Sequence, residues 1–402
     1  SSAASDVYKR QIVKTAHQSK LGCYQKMSYQ MVNSLDNSIM PKVVSETVEY
    51  VERLKSDNDF FLDYLEHNSN FSNDYDALIA LCNHNPNFIN SSYYRDRKKK
   101  IISSYVLKIK SGEIILNAEN LTIVGSPYAM LLYAATGSEA SVDQDITFRP
   151  EPGTIQCYTE RFGDGEYLAF FRSPFNSKNN LTYLHNVYHE NFKKYFNFGK
   201  QIIAVNLIGT DFQDRNNGSD QDSDFAYTTN HSEIVEHARQ CYLNYPTIVN
   251  NIPKEKNVYV NTMDAYAAID NALAKSQTDI GESSNLAQIA QTYACNFEDQ
   301  KFADYVCILS VLAQVAIDNA KRRFDINLTQ EIKRIKDDMD INIHKYPTFW
   351  GIIKYKFNRK NINKELVCPM NYLSSLDLLV FRNSTPTIPI QDLFVKHKLM
   401  VH

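Results

Sequence analysis

The chain has 402 residues, 43% of them hydrophobic and 22% charged, enough to bury sizeable cores and to fill two to four domains of ordinary size. A formal charge of −3 and a pI near 6.4 exclude a generally basic coat for nucleic acid, so a polyanion would have to be held by local basic patches or by metal. Seven scattered cysteines without a CxxC pair argue against a disulfide framework or a zinc site and fit a reducing cytoplasm.

In chain order, residues 1–11, SSAASDVYKRQ, lack an initiator Met and read as a translated sequencing adapter; they are set aside, and the expectation is an N-terminally truncated metagenomic fragment. Residues 12–94 are read as a helical segment from the mixed three- and four-residue spacing of Val43, Val44, Val48, Val51 and Leu54. A basic run, Arg95, Arg97, Lys98, Lys99 and Lys100, leads into IISSYVLKIK, whose β-branched content predicts a strand turning at Ser111-Gly112 into EIILNAENLTIVG. TIQCYTERF and EYLAFFRSP, joined at Gly163-Asp164-Gly165, predict a hairpin. QIIAVNLIG and FAYTT are further strands on either side of an acidic stretch. Residues 95–230 therefore form a β unit with short inserted helices, read as a barrel because so many short strands must hide their edges. Residues 231–345 change to long helices: SEIVEHARQCYLNY, MDAYAAIDNALAKS, SSNLAQIAQTYACN and the strongly apolar FADYVCILSVLAQVAIDNAKRRF. Residues 346–402 form a mixed, proline-bearing tail. No apolar run approaches the roughly 18 residues of a membrane span, and no signal peptide is visible.

The most specific chemical signal is GTDFQDRNNGSDQDSDF, residues 209–225. Asp220, Asp222 and Asp224 alternate with Gln221 and Ser223, so in an extended segment all three carboxylates lie on one side. Three converging hard oxygen donors suit Mg²⁺, and without a cation they repel one another. An EF-hand starting at Asp220 would need Gly at its sixth position and Glu at its twelfth but meets Phe225 and His231. A solvated Asp/Asn-rich loop is the plain alternative, weakened by the position of this one between two strands, where rigid scaffolds carry sites.

With these residues in place, the chain resembles the two-barrel RNA polymerase superfamily, specifically the RNA-silencing type of RNA-dependent RNA polymerase and its bacterial and phage relatives. Their double-psi β-barrel carries an Asp-x-Asp-Gly-Asp loop, which GSDQDSD matches with Ser223 in the glycine position. FRSPFNSKNNLTYLHNV and VGSPYAML resemble family segments ahead of that loop, and DIGESSNLAQIA and QVAIDNAKRRF resemble helical segments after it, in the family's order over roughly residues 100–330. The interval between Arg215 and the triad is shorter than in the family, and Ser223 fits only with negative φ, since a left-handed backbone demands glycine.

The resemblance implies an α+β fold, a double-psi β-barrel with inserted and C-terminal helices, and a cytoplasmic nucleotidyltransferase of phage, prophage or bacterial origin that uses Mg²⁺, nucleoside triphosphates and a DNA or RNA template to make RNA. It implies Asp220, Asp222 and Asp224 as metal ligands and Arg172, Arg215, Asn217 and Lys321 as nucleic-acid or substrate contacts. Each has a structural alternative: Arg172 as an ion pair within the barrel, Arg215 and Asn217 as braces of the loop, Lys321 as one half of a surface pair with Asp318. Lys98 to Lys100 and KYKFNRK (354–360) are candidates for a nucleic-acid channel or merely solvated faces. The histidines match no metal or nucleophile pattern, and GxxxxGK[ST], GxSxG and HExxH are absent. Other function classes compatible with the triad are a non-catalytic cation-binding scaffold and a metal-dependent phosphohydrolase.

Overall fold

The computed structural model describes residues 17–174, 177–256, 260–319, 324–354, 357–381 and 386–394. The first departure from the sequence expectation comes at IISSYVLKIK, which is not a strand but the second half of a helix, Ser92–Lys110. Its buried positions, Tyr94, Lys98, Ile101, Ile102, Tyr105, Val106 and Ile109, recur every three to four residues, and this helical period overrides the β propensity of its isoleucines and valine. Ser91 caps the N-terminus by accepting from the Tyr94 backbone N–H at 3.1 Å. The helix stops at Gly112, whose φ of +104° and approach to the Tyr29 backbone, 2.5 Å from where a Cβ would sit, leave room for no side chain.

The barrel strands begin just after that turn. Seven strands form one sheet: β1 (Tyr24–Lys26), β2 (Ile115–Val124), β3 (Ile155–Tyr158), β4 (Tyr167–Arg172), β5 (Thr182–Asn186), β6 (Ile202–Val205) and β7 (Phe225–Thr229). Six of them close on themselves in the order β2-β6-β3-β5-β4-β7, with β7 antiparallel to both β4 and β2. The pairs β2/β6 and β3/β5 are parallel. Alternate residues of the strands, Leu121 and Ile123, Ile155 and Cys157, Leu168 and Phe170, Ile203 and Val205, fill one core, as the two-residue period of a strand requires. The chain is thus α+β with a closed six-stranded barrel.

The predicted strands TIQCYTERF and EYLAFFRSP exist, but they do not pair as a hairpin. β3 lies between β5 and β6, while β4 pairs with β5 and β7. The loop after β3 is instead drawn onto the end of β5 by Asn186, whose amide donates to the carbonyls of Thr159, Phe162 and Gly163 and accepts from Thr159 N–H. One buried side chain thereby replaces the backbone ladder that a tight turn would have supplied.

Two compact units interleave along the chain. One comprises residues 1–25, 117–287 and 304–333 and contains the barrel; the other comprises residues 26–116, 288–303 and 334–402 and is mainly helical. In the barrel unit, helix Ser232–Asn244 packs against β4 and β5 with Ile234, Ala238 and Cys241 buried. The two helices predicted from MDAYAAIDNALAKS and SSNLAQIAQTYACN are one continuous helix, Met263–Asn296, because Gly281 is tolerated mid-helix and no proline intervenes. The helical unit includes Ser45–Ser56, Asn58–Asn68 and Tyr75–His84, with Val43, Val44, Val51 and Leu54 buried as their spacing implied. In the tail, Tyr346–Pro347 pairs with Ile362–Asn363. Among the described residues one helix, Gln300–Asp318, is long and apolar enough, by length and composition, to cross a membrane, and 50% of its most apolar stretch is buried inside the protein.

Candidate metal centre

Between β6 and β7 the chain makes a short helix, Phe212–Arg215, that drops Phe212 into the barrel core. It then reverses through Asn217 and Gly218, at φ +54° and +67°. A Cβ on Gly218 would come within 2.5 Å of the Gln314 amide, the movable end of a side chain, so it is the backbone conformation that calls for glycine. The acidic residues follow at once. One carboxylate oxygen from each of Asp220, Asp222 and Asp224 lies within 4.8 Å of the others. The loop is tied to the barrel at its far end, where the Asp224 carbonyl accepts from Ile123 N–H of β2 at 2.9 Å. Asp224 Oδ2 also accepts from the Asp220 N–H at 3.1 Å, which folds the loop back upon itself.

Arg172, the last residue of β4, stands opposite Ala226 of β7 and therefore at the same end of the barrel as the acids. Its Nη2 pairs with Asp224 Oδ2 at 2.7 Å, and its Nη1 donates to the carbonyls of Asn216 and Asn217. The guanidinium therefore orients one of the three carboxylates and the turn ahead of them together. Arg215 faces inward: it is 1% exposed, and its nitrogens donate to the carbonyls of Leu181, Cys241 and Tyr245 and to Thr247 Oγ1. It also lies over the Tyr242 ring at 4.6 Å, and burial lowers its pKa. This is the bracing arrangement of the two that the sequence allowed. Asn217 likewise spends its amide internally, donating to the Pro174 carbonyl and accepting from Asn180.

Sequence reasoning missed the rest of this support. Asn180 also donates to the Arg215 carbonyl, and Asn216 exchanges hydrogen bonds with Thr182, both within the buried floor below the acids. Their signal is the run SKNNLT inside FRSPFNSKNNLTYLHNV. The VGSPYAML element reaches the loop: Gly125 lies against Leu207, and a Cβ built on it would be 4.0 Å from the Gln221 side chain.

One expectation changes. Ser223 has φ +91°, not negative, so serine occupies a backbone conformation that favours glycine. Lys98 donates its Nζ to Asn58 Oδ1 inside the helical unit and sits 5.0 Å from the Phe61 ring. Lys321 lies outside the described residues, as do residues 1–11 and 355–356; Asp318 ends helix Gln300–Asp318.

Among solved structures the chain is similar to the RNA-dependent RNA polymerase QDE-1 from Thielavia terrestris, with a TM-score of 0.57 and 14% sequence identity. The match covers 87% of this chain and 41% of that one, so this chain spans about two fifths of the length of the protein it resembles. At that identity the likeness is one of fold, and it agrees with a double-psi type of six-stranded barrel. No protein-family model matches the chain, and no curated protein matches it.

Proposed function

We propose that the chain is the catalytic portion of a template-directed RNA polymerase, a nucleotidyltransferase that joins a 3′-hydroxyl to the α-phosphate of a nucleoside triphosphate. The observation that carries this reading is the convergence of Asp220, Asp222 and Asp224 within 4.8 Å at one end of a closed barrel whose fold is like that of an RNA polymerase. Oxygens around an octahedral Mg²⁺ stand about 3–4 Å apart, so the three carboxylates need only a small adjustment to hold the ion together. Bound there, Mg²⁺ would supply Lewis-acid stabilisation of charge on the reacting phosphoryl oxygens.

The chain's own residues prepare that site. Asp222 is exposed and Asp220 half-buried, which leaves the loop open to a large polyanionic substrate. Arg172 holds Asp224 in place and offsets part of the acids' mutual repulsion. Arg215, Asn180 and Asn216 keep the turn beneath them rigid, so the ligands are set before substrate arrives. Template, RNA product and triphosphates are the partners this chemistry implies, and a reducing cytoplasm suits seven cysteines that are all free thiols.

The test is Asp222→Ala. In this chain the change should weaken Mn²⁺ or Mg²⁺ binding at least roughly tenfold by calorimetry while leaving the unfolding midpoint nearly unchanged, because an exposed ligand is lost and repulsion is relieved. In the full-length protein, supplied with Mg²⁺, four ribonucleoside triphosphates and single-stranded RNA or DNA, the same change should abolish labelled transcript. A wild-type protein that makes no product on either template, or a mutant that matches it, ends the polymerase reading.

A further inference from the structure

The helical unit contains a cavity of about 1060 Å³ between helix Ser45–Ser56, helix Ser92–Lys110 and residues 379–381. Four basic side chains line it, Lys55, Arg95, Lys98 and Lys99, against two acidic ones, Glu52 and Asp96, an excess of two positive charges. Three of the four come from the basic run that the sequence singled out and that the acidic loop does not use. Helical spacing explains the gathering: positions 95, 98 and 99 share one face of the helix, whereas Arg97 turns away to pair with Asp74.

The individual lysines are not equivalent. Lys55 is satisfied, with Glu52 at 2.5 Å and the carbonyls of Leu378 and Val380 as further acceptors. Lys98 is 8% exposed, yet the one hydrogen-bond acceptor it has among the described residues is Asn58 Oδ1, at 2.8 Å. An ammonium carries three donors, and burying one without a carboxylate partner is costly. Burial accordingly lowers the Lys98 pKa to about 8, with the charge of Asp57 acting in the opposite direction. Lys99 completes the wall from the exposed side, its Nζ 5.7 Å from the Phe381 ring.

We propose that this cavity is a binding site for phosphate groups, those of a free nucleotide or of a nucleic-acid strand. A multiply charged oxyanion meets the observations better than a single carboxylate. It supplies acceptors for the remaining Lys98 donors, balances an excess of two positive charges, and suits the guanidinium of Arg95 beside two ammonium groups. The site lies wholly within the helical unit and does not rest on the polymerase reading of the acidic loop.

Calorimetric titration of the chain with inorganic triphosphate, and separately with a short single-stranded RNA, tests it; EDTA is present throughout so that the aspartates hold no metal. Wild type should bind at least one of the two. Lys98→Met, which keeps the volume and removes a buried charge, should weaken that binding roughly tenfold or more, the expected size for losing a charged hydrogen bond. Lys99→Ala, an exposed change that leaves the core alone, should weaken it several-fold. Loss confined to triphosphate identifies a free nucleotide as the source, and loss confined to RNA identifies the strand. No binding of either by wild type, or Lys98→Met and Lys99→Ala proteins that both bind like wild type, overturns the proposal.

Discussion

Arg215 in the barrel unit and Lys98 in the helical unit are both cations that the fold buries, 1% and 8% exposed, but their surroundings differ in kind. Around Arg215 the barrel and the helix behind it present three carbonyls, a hydroxyl and an aromatic face, so four of its five N–H donors meet protein acceptors. Lys98 has one amide oxygen, a phenyl ring and an adjoining cavity. A buried charge with nearly every donor taken up is a structural pin; one left with most donors spare beside open volume has capacity for a ligand.

The largest effect that could break this contrast is at Arg215. Arg215→Met leaves the carbonyls of Leu181, Cys241 and Tyr245 without their donor and should cost roughly 3–5 kcal/mol in denaturant unfolding of the barrel. A cost below about 1 kcal/mol would mean that the carbonyls find water and that the pin is dispensable.

At Lys98 the expected effect is a pH gradient. Its folded pKa of about 8 lies below the ordinary lysine value, so between the two Lys98 binds more protons in the unfolded chain, and its own contribution to stability should rise as pH is raised from about 8 towards 10.4. Thermal unfolding of wild type and Lys98→Met across that window checks it: the stability of wild type relative to the mutant should grow as pH rises. Equal gradients in both would show that Lys98 is as well solvated as a surface lysine.

The smallest expected effect sharpens the picture of the acidic loop. Ser223→Gly relieves a serine at φ +91° and should stabilise the chain by roughly 0.5–1 kcal/mol, the strain released less the added freedom of glycine in the unfolded chain. Differential scanning calorimetry would show a raised midpoint; a lowered one would mean that Ser223 is held comfortably.

How much of this was legible in the sequence depends on the range of the interaction involved. The triad, FAYTT and QIIAVNLIG could be read because a two-residue period and its flanking turns are local patterns. Ser92–Lys110 was misread because β-branched residues at 101, 102 and 106 weigh towards strand, while the helical spacing of buried positions shows only when Tyr94 and Lys98 are counted with them. The β3–β4 hairpin failed for another reason: Asn186 lies over twenty residues from the loop it captures, and no local rule ranks its side chain above a glycine turn. The buried support of the acids, Asn180 with Arg215 and Asn216 with Thr182, depends on pairings across more than thirty residues, whereas the acids themselves are neighbours.

The pairing of β7 with both β2 and β4 has a consequence for the order of events in synthesis. The strand that shuts the barrel is also the last of its strands to be made, and its partners in β2 lie more than a hundred residues earlier. Until Thr229 has left the ribosome, Asp224 has no Ile123 N–H to anchor it and Arg172 has no fixed carboxylate to meet. A nascent chain therefore carries the acidic loop as an unorganised, weakly chelating stretch, and competence to hold a cation should arrive late and all at once with ring closure, a slow step for contacts so distant in sequence.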